Sequence, residues 1–431
     1  MSDLRPAISF AANLYLQKAS TAYAAYVRRA PIARLHLRPG RENPYAIYDR
    51  IRAAGPLIPT HRGNFATASH RLCGAVLRDR RFGVREAGAD PAAGTDALDL
   101  SFLEMNPPDH TRLRRLAQPA FSPKAVAAYP DRIERIVGGL LDRAAADGRF
   151  DLVSAFAAPL PIAVITELLG IPDANADEFA AYGATVGSAL DGVKSLRHAA
   201  RLQAEGRKLT RLFEDLFALR RAEPRDDLVS ALVAADDGQI APAELLPLCA
   251  LLLLAGFETT VNLIGNCVLA LLDHPEQWAA VCADPQAMAP KAVEETLRYD
   301  PPVQATSRVA LEPTVVEGTP VRRNQWIMTL IGGANRDPEV YDRPDEFDLG
   351  RENPAEHLAF SAGIHYCVGQ PLARLEATTA IRLLAERMPG LTRAGAVRRG
   401  NGAMIRGPLS LPVSAGRERK VVTAAAAGSR R

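Results

Sequence analysis

One cysteine in this chain has neighbours that a plain core residue does not need. Cys367 lies in Phe360-Ser-Ala-Gly-Ile-His-Tyr-Cys-Val-Gly369, followed by Gln370-Pro371-Leu372-Ala373-Arg374. Gly363 and Gly369 permit a tight loop whose backbone N–H groups point inward. Pro371 marks the first turn of a helix that begins just beyond the sulfur. The positive end of that helix and the inward donors both lower a thiol pKa. A stabilised thiolate serves either nucleophilic attack or metal ligation. The remaining cysteines, Cys73, Cys249, Cys267 and Cys282, read as small buried hydrophobes. The five cysteines together, odd in number, widely spaced and without any C-x-x-C, predict no disulfide framework, no structural zinc and a reducing compartment.

Three further segments hold polar groups at helical spacing. Pro242 to Asp273 reads as one helix, roughly 48 Å long at about 1.5 Å per residue. It is apolar nearly all round and should be buried. Its centre interrupts that pattern with Gly256, Glu258, Thr259, Thr260 and Asn262. A buried carboxylate is costly unless paired or used. Thr259 can bond back to the carbonyl of Ala255, and with the side chain missing at Gly256 this would bend the helix and open a groove. The plainer alternative is a helix packed at a glycine notch, with Glu258 reaching solvent. Glu295 and Arg298 lie three apart on one helix face before Pro301-Pro302, and by themselves read as an exposed ion pair worth little. His110 and Arg114 are i,i+4 neighbours on a helix that opens after Pro107-Pro108, where they could clamp an anion. Arg308 is another candidate anion ligand. Arg112 and Arg115 lie off the His110–Arg114 pair and read as a solvated basic face.

The elements that must position these groups are mostly helical. Apolar residues recur at i, i+3 and i+4 over Pro44–Ala54, Ala68–Arg78, Pro108–Gln118, Lys124–Asp147 and Pro159–Leu169. The same spacing covers Asp177–Leu190, Arg197–Ala222, Pro275–Ala283 and Lys291–Tyr299. Strand patterns are sparse: Leu57–Thr60 and Phe65–Ala68 around Gly63, Ser307–Val316, Gln325–Leu330, and a hairpin over Ile405–Val413 turning near Pro408. No repeat or Gly/Ser linker divides the 431 residues, so the expectation is a single domain over 1–431, mainly α with a small β region. The net charge of +3 argues against nucleic acid as a main partner. Residues 1–30 read as an N-terminal helix or arm, and 416–431 as a disordered tail. The N-terminus shows no signal peptide, and Asn13, Gln17, Lys18 and Ser20 interrupt Ile8–Val27 too often for a membrane span. Membrane contact is expected to be absent or peripheral, and the location cytoplasmic.

Taken in this order and at these separations, the segments resemble the cytochrome P450 family. The cysteine loop matches F-x-x-G-x-H-x-C-x-G at Phe360, Gly363, His365, Cys367 and Gly369. The long helix matches A-G-x-[DE]-T-T at Ala255, Gly256, Glu258, Thr259 and Thr260, and the E-x-x-R element is Glu295 and Arg298. The resemblance runs from about Pro44 to Val413, with Asn106 where many bacterial members carry Asp.

The resemblance implies a triangular fold with the long central helix over haem b. Cys367 would be the axial thiolate, its electron donation favouring O–O cleavage. Phe360 would shield its side of the haem. His110, Arg114, Arg308 and His365 would pair with the propionates, and Glu295 with Arg298 would form a buried ion pair. Glu258 and Thr259 would relay protons to dioxygen, held near Ala255 and Gly256. The reaction implied is monooxygenation of a hydrophobic small molecule, with electrons from a ferredoxin and a ferredoxin reductase; Arg112 and Arg115 would contact that acidic partner. The substrate would lie against Leu98, Leu100, Phe102, Val303, Met404 and Ile405. Alternatives are a peroxide-driven peroxygenase, which usually lacks the acid–alcohol pair, and a non-catalytic haem-binding protein. A thiol hydrolase using Cys367 with His365 lacks a third residue and an oxyanion-hole signature.

Overall fold

The computed structural model describes residues 4–89, 99–172, 179, 185, 193–235, 239–352, 356–400 and 402–416. The expected helix Asp177–Leu190 lies outside them except for Phe179 and Thr185, as do Leu98 and residues 417–431 of the expected tail. Helices dominate, and small sheets lie beside them.

The central helix spans Pro242–Asp273, the bounds its sequence predicts. Proline at its first position needs no N–H partner, and the Glu244 carboxylate accepts from the Ala241 N–H at 2.8 Å. The helix stops at His274, before Pro275, because the residue preceding a proline is pushed out of the helical region. The helices Pro159–Leu169, Pro285–Tyr299 and Gln370–Arg387 pack against it most extensively. Their buried side chains, with those of Pro130–Asp147, make one continuous apolar core. Periodicity alone ran Lys124 to Asp147 together; the chain instead breaks between Pro123–Val126 and Pro130–Asp147, where Pro130 starts a new helix.

Twelve short strands are described: β1 (Ile58–Pro59), β2 (Phe65–Thr67), β3 (Phe82–Gly83), β4 (Arg149–Asp151), β5 (Thr306–Ala310), β6 (Thr314–Val316), β7 (Thr319–Val321), β8 (Trp326–Thr329), β9 (Thr392–Arg393), β10 (Arg398–Arg399), β11 (Pro408–Ser410) and β12 (Pro412–Ser414). The main sheet runs β1-β2-β8-β5-β3, with β2 and β8 parallel and the other pairs antiparallel. The hairpin around Gly63 is the β1–β2 pair, whereas Ser307–Val316 divides into β5 and β6. The expected hairpin over Ile405–Val413 does not form. Instead, β11 pairs with β10, and β12 sits between β4 and β9. Strand β4 is distant in sequence, and β9 and β10 are two-residue strands too short to show alternation, so the local pattern could not reveal these partners.

Candidate functional site

The loop before the proximal helix Gln370–Arg387 folds back on itself. Cys367 N–H donates to the Phe360 carbonyl at 2.9 Å, and Tyr366 N–H to the Gly363 carbonyl at 3.1 Å. Gly363 sits at φ 69°, and a Cβ there would lie 2.3 Å from the Leu77 carbonyl oxygen, so only glycine fits. Gly369 differs from its sequence reading. Its φ is −85° and a Cβ would meet only Phe121 at ordinary contact distance, so the protein's own packing does not demand glycine there.

The sulfur also departs from expectation. Burial pushes the Cys367 thiol up, and this outweighs the opposing pull of the Gly369 and Gln370 N–H groups and of Arg114. The helix terminus therefore does not by itself make a thiolate; a metal cation on the sulfur would reverse that balance. Cys73, Cys249 and Cys267 are buried, burial raises their thiols too, and all five cysteines are free.

Around this loop four nitrogen-bearing side chains converge from three elements. His110 and Arg114 come from the helix Asp109–Ala117, Arg308 from β5, and His365 from the cysteine loop. The His110 and His365 rings lie 4.2 Å apart. Arg114 donates to the Tyr366 carbonyl at 2.5 Å, and Arg308 to the Ser361 hydroxyl at 3.3 Å. Both His110 ring nitrogens and His365 Nε2 are buried without a hydrogen-bond partner. Burial, then Arg114 and Arg308, lower His110 to about 4. His365 falls to about 3 through burial and then Arg308, His110 and Arg114. Burial alone lowers Arg308 to about 10. Among the described residues no carboxylate pairs with either arginine. Unmatched buried donors are expensive, so this set calls for an anionic ligand. Two carboxylates of a porphyrin, above a thiol that can take the metal, fit it.

The central helix opens toward solvent-accessible space midway along its length. Leu251–Leu254 are buried, Ala255 is exposed, and Gly256, Glu258 and Thr259 are partly so. Thr259 Oγ1 donates to the Ala255 carbonyl at 2.9 Å, as its spacing suggests, and Thr260 Oγ1 to that of Gly256 at 3.2 Å. The notch at Gly256 is not a free groove. A Cβ there would lie 2.8 Å from Ile165 Cδ1, so the glycine lets the helix Pro159–Leu169 approach closely.

Glu295 and Arg298 are buried, as the resemblance implies and spacing alone does not. Arg298 Nη2 and Nε donate to the two Glu295 oxygens at 2.7 and 2.9 Å. The other three N–H groups reach the carbonyls of Asn335, Pro344 and Glu346 at 3.2, 2.7 and 2.8 Å, so all five guanidinium donors are used. The Asn335 side chain then donates to the Leu297 carbonyl and accepts from Leu358 N–H, two residues before Phe360.

One group escaped sequence reading. Glu294, beside Glu295, accepts from Arg374 Nε at 2.5 Å and from His357 Nε2 at 3.1 Å, while the Arg374 guanidinium lies 4.5 Å from the Phe360 ring centre. It ties the helix Pro285–Tyr299 to both flanks of the cysteine loop. Arg112, expected on a solvated face, is instead bound to Glu244 at 2.6 and 2.9 Å and to Asp109 at 3.1 Å. Asn106 uses both ends of its amide: Oδ1 accepts from Val84 N–H and Nδ2 donates to the Arg85 carbonyl, which a carboxylate could not do.

Of the expected pocket residues, Val303 bridges Ile405, and Gln304 N–H donates to the Met404 carbonyl, so these three meet. Phe102 is buried, edge-on to His110 with ring centres 6.1 Å apart, and Leu100 packs on the core. Leu98 lies outside the described residues.

A helical fold with a cysteine at the start of a helix and a carboxylate-seeking cradle beside it defines a haem-thiolate oxidoreductase. The chain belongs to the cytochrome P450 family, and its enzyme class is that of the P450 monooxygenases. The family signature described as Cytochrome P450 matches residues 197–387. Cytochrome P450 monooxygenase PikC of Streptomyces venezuelae is 39% identical over 386 residues, covering 86% of this chain and 91% of that one. Crystal structures of bacterial members share the fold. CYP164A2 of Mycobacterium smegmatis superposes with a TM-score of 0.82 at 36% identity, covering 89% of this chain and 99% of that chain. P450BioI, in complex with an acyl carrier protein ligated to hexadec-9Z-enoic acid, gives 0.81 at 34% identity, covering 87% of this chain and 99% of that one.

Proposed function

We propose that this enzyme inserts one oxygen atom of O2 into a hydrophobic small molecule, drawing electrons one at a time from a ferredoxin and its reductase in the cytoplasm. The observation that carries this reading is the cradle of His110, Arg114, Arg308 and His365, with unsatisfied imidazole nitrogens and, among the described residues, no carboxylate partner, beside Cys367. Haem b, when bound, supplies oxygen activation and one-electron chemistry. Cys367 would hold its metal, the cradle of His110, Arg114, Arg308 and His365 would hold its propionates, and Phe360 would cover the sulfur side. Arg374 braces Phe360 by lying over its ring. Thr259 holds a proton at Oγ1, now bonded to the Ala255 carbonyl; to pass it on, the hydroxyl leaves that carbonyl and Glu258 re-supplies it from solvent. This acid–alcohol pair favours monooxygenation over a peroxide-driven reaction or simple haem binding. The fatty acid borne by the acyl carrier protein in complex with P450BioI supports an apolar substrate here.

The test is Cys367→Ser. The reduced carbonyl complex of the parent should show a strongly red-shifted Soret band, and the variant should lose it. An unchanged band in the variant refutes the ligand assignment.

A further inference from the structure

The N-terminal helix Leu4–Tyr26 is turned the unusual way round. It docks through small residues, Ala24 and Ala25, against Ala33. Lys18 Nζ also reaches the Lys194 carbonyl, and Arg62 Nη2 donates to Thr21 Oγ1 at 3.4 Å. Its large apolar side chains face away. Ala12, Tyr15, Leu16, Ala19, Tyr23 and Tyr26 recur at three- and four-residue spacing, and every one is exposed. Leu16 is 67% exposed and Tyr26 70%, values at which a helix face is bare. A contiguous bare apolar stripe marks a docking surface.

Charge decides what docks. From Leu4 to Arg41 the chain has no Asp or Glu but seven Lys and Arg: Arg5, Lys18, Arg28, Arg29, Arg34, Arg38 and Arg41. The whole chain carries only +3, so the rest of it is net acidic. Two cations flank the stripe itself, Lys18 Nζ at 5.7 Å from the Tyr15 ring and Arg28 at 5.7 Å from Tyr23. A second copy of this chain would set like charge against like across a two-fold interface. Nucleic acid would satisfy the cations and leave the leucine and tyrosines wet. Tyrosines with an apolar ring and a polar tip, rimmed by basic residues, suit the boundary between acyl chains and anionic headgroups.

We infer that the exposed face of Leu4–Tyr26 docks the enzyme, reversibly and without spanning, on the surface of a bilayer bearing anionic headgroups. The test uses full-length holoenzyme in flotation with vesicles of phosphatidylcholine and phosphatidylglycerol at about 70:30, and with phosphatidylcholine alone. The parent should float with the anionic vesicles at least about tenfold more than with the neutral ones, and salt should release it. Leu16→Ser/Tyr23→Ser/Tyr26→Ser and, separately, Arg28→Gln/Arg29→Gln should each lower that binding about tenfold, with the reduced carbonyl spectrum unchanged to report a folded haem site. A parent that stays with the soluble fraction overturns the inference. So does an apolar triple variant that floats as well as the parent, because charge alone then accounts for binding. Self-association that the triple variant abolishes, in a parent that binds no vesicles, assigns the stripe to a second copy and also overturns it.

Discussion

Glu295→Gln offers the sharpest test of how the cysteine loop is held. Arg298 and Glu295 side chains are only 2% and 5% exposed. The amide can still accept one bond from Arg298 and one from the Asp348 N–H, which lies 3.0 Å from Oε1. What disappears is the negative charge facing Arg298 and, at 3.4 Å, Arg351. Breaking a buried pair on one side typically costs about 3–5 kcal/mol, because the surviving charge stays desolvated. For 431 residues the unfolding entropy is about 0.9 kcal/mol per degree. The expected fall in Tm is therefore about 3–6 °C, measured by differential scanning calorimetry on apo protein. Haem content per chain should fall with it, since the Arg298 network runs through Asn335 to Leu358. Arg298→Lys should do comparable harm while keeping the charge. Lysine has three donors for five acceptors, so at least two of the carbonyl or carboxylate partners go unmatched. A Glu295→Gln protein that melts within about 1 °C of the parent, fully haem-loaded, would refute the reasoning.

Thr259→Ala removes the hydroxyl that donates to the Ala255 carbonyl but leaves the helix intact; product per reducing equivalent should drop about tenfold or more and peroxide should appear in its place. Coupling equal to the parent with every substrate tried removes the relay role. Glu294→Gln addresses acid stability. Burial pushes the Glu294 carboxyl up, but hydrogen bonds from His357 and Arg374 outweigh it and hold the group at about 2, below its usual 4.5. A depressed folded-state pKa contributes stability that is fully present above the unfolded value and is lost as pH falls through the folded one. Parent and variant should therefore differ most in urea midpoint near neutral pH and converge between pH 4.5 and about 2. A gap that stays constant over that range assigns the difference to packing.

Chemistry with a local signature was legible in the residues. The central helix begins and ends where Pro242 and Pro275 place it, and the cysteine loop declares itself within ten residues. Long-range pairing was not. Alternation over Ile405–Val413 suggests a hairpin, but β12 pairs instead with β9 and with β4, which lies more than 250 residues earlier. Glu294, His357 and Arg374 converge from three places in the sequence, and no spacing rule joins them. For Glu295–Arg298 the family resemblance implies the buried pair that forms, whereas spacing alone does not, because an i,i+3 pair looks the same on paper whether or not the chain folds over it. Thiol acidity was misjudged for a similar reason: helix position is written in the sequence, while the depth at which Cys367 sits is not.

Gly256 and Ile165 are coupled in one direction: a side chain gained at 256 would press on the end of Ile165, whereas a smaller residue at 165 would meet no clash. A methyl group gained at 256 would demand a smaller or displaced side chain at 165. Homologous chains should therefore trade bulk between these two sites. That exchange would shift the two helices against each other by fractions of an ångström just one turn from Thr259, a quiet route by which a lineage could retune its site without touching a reactive side chain.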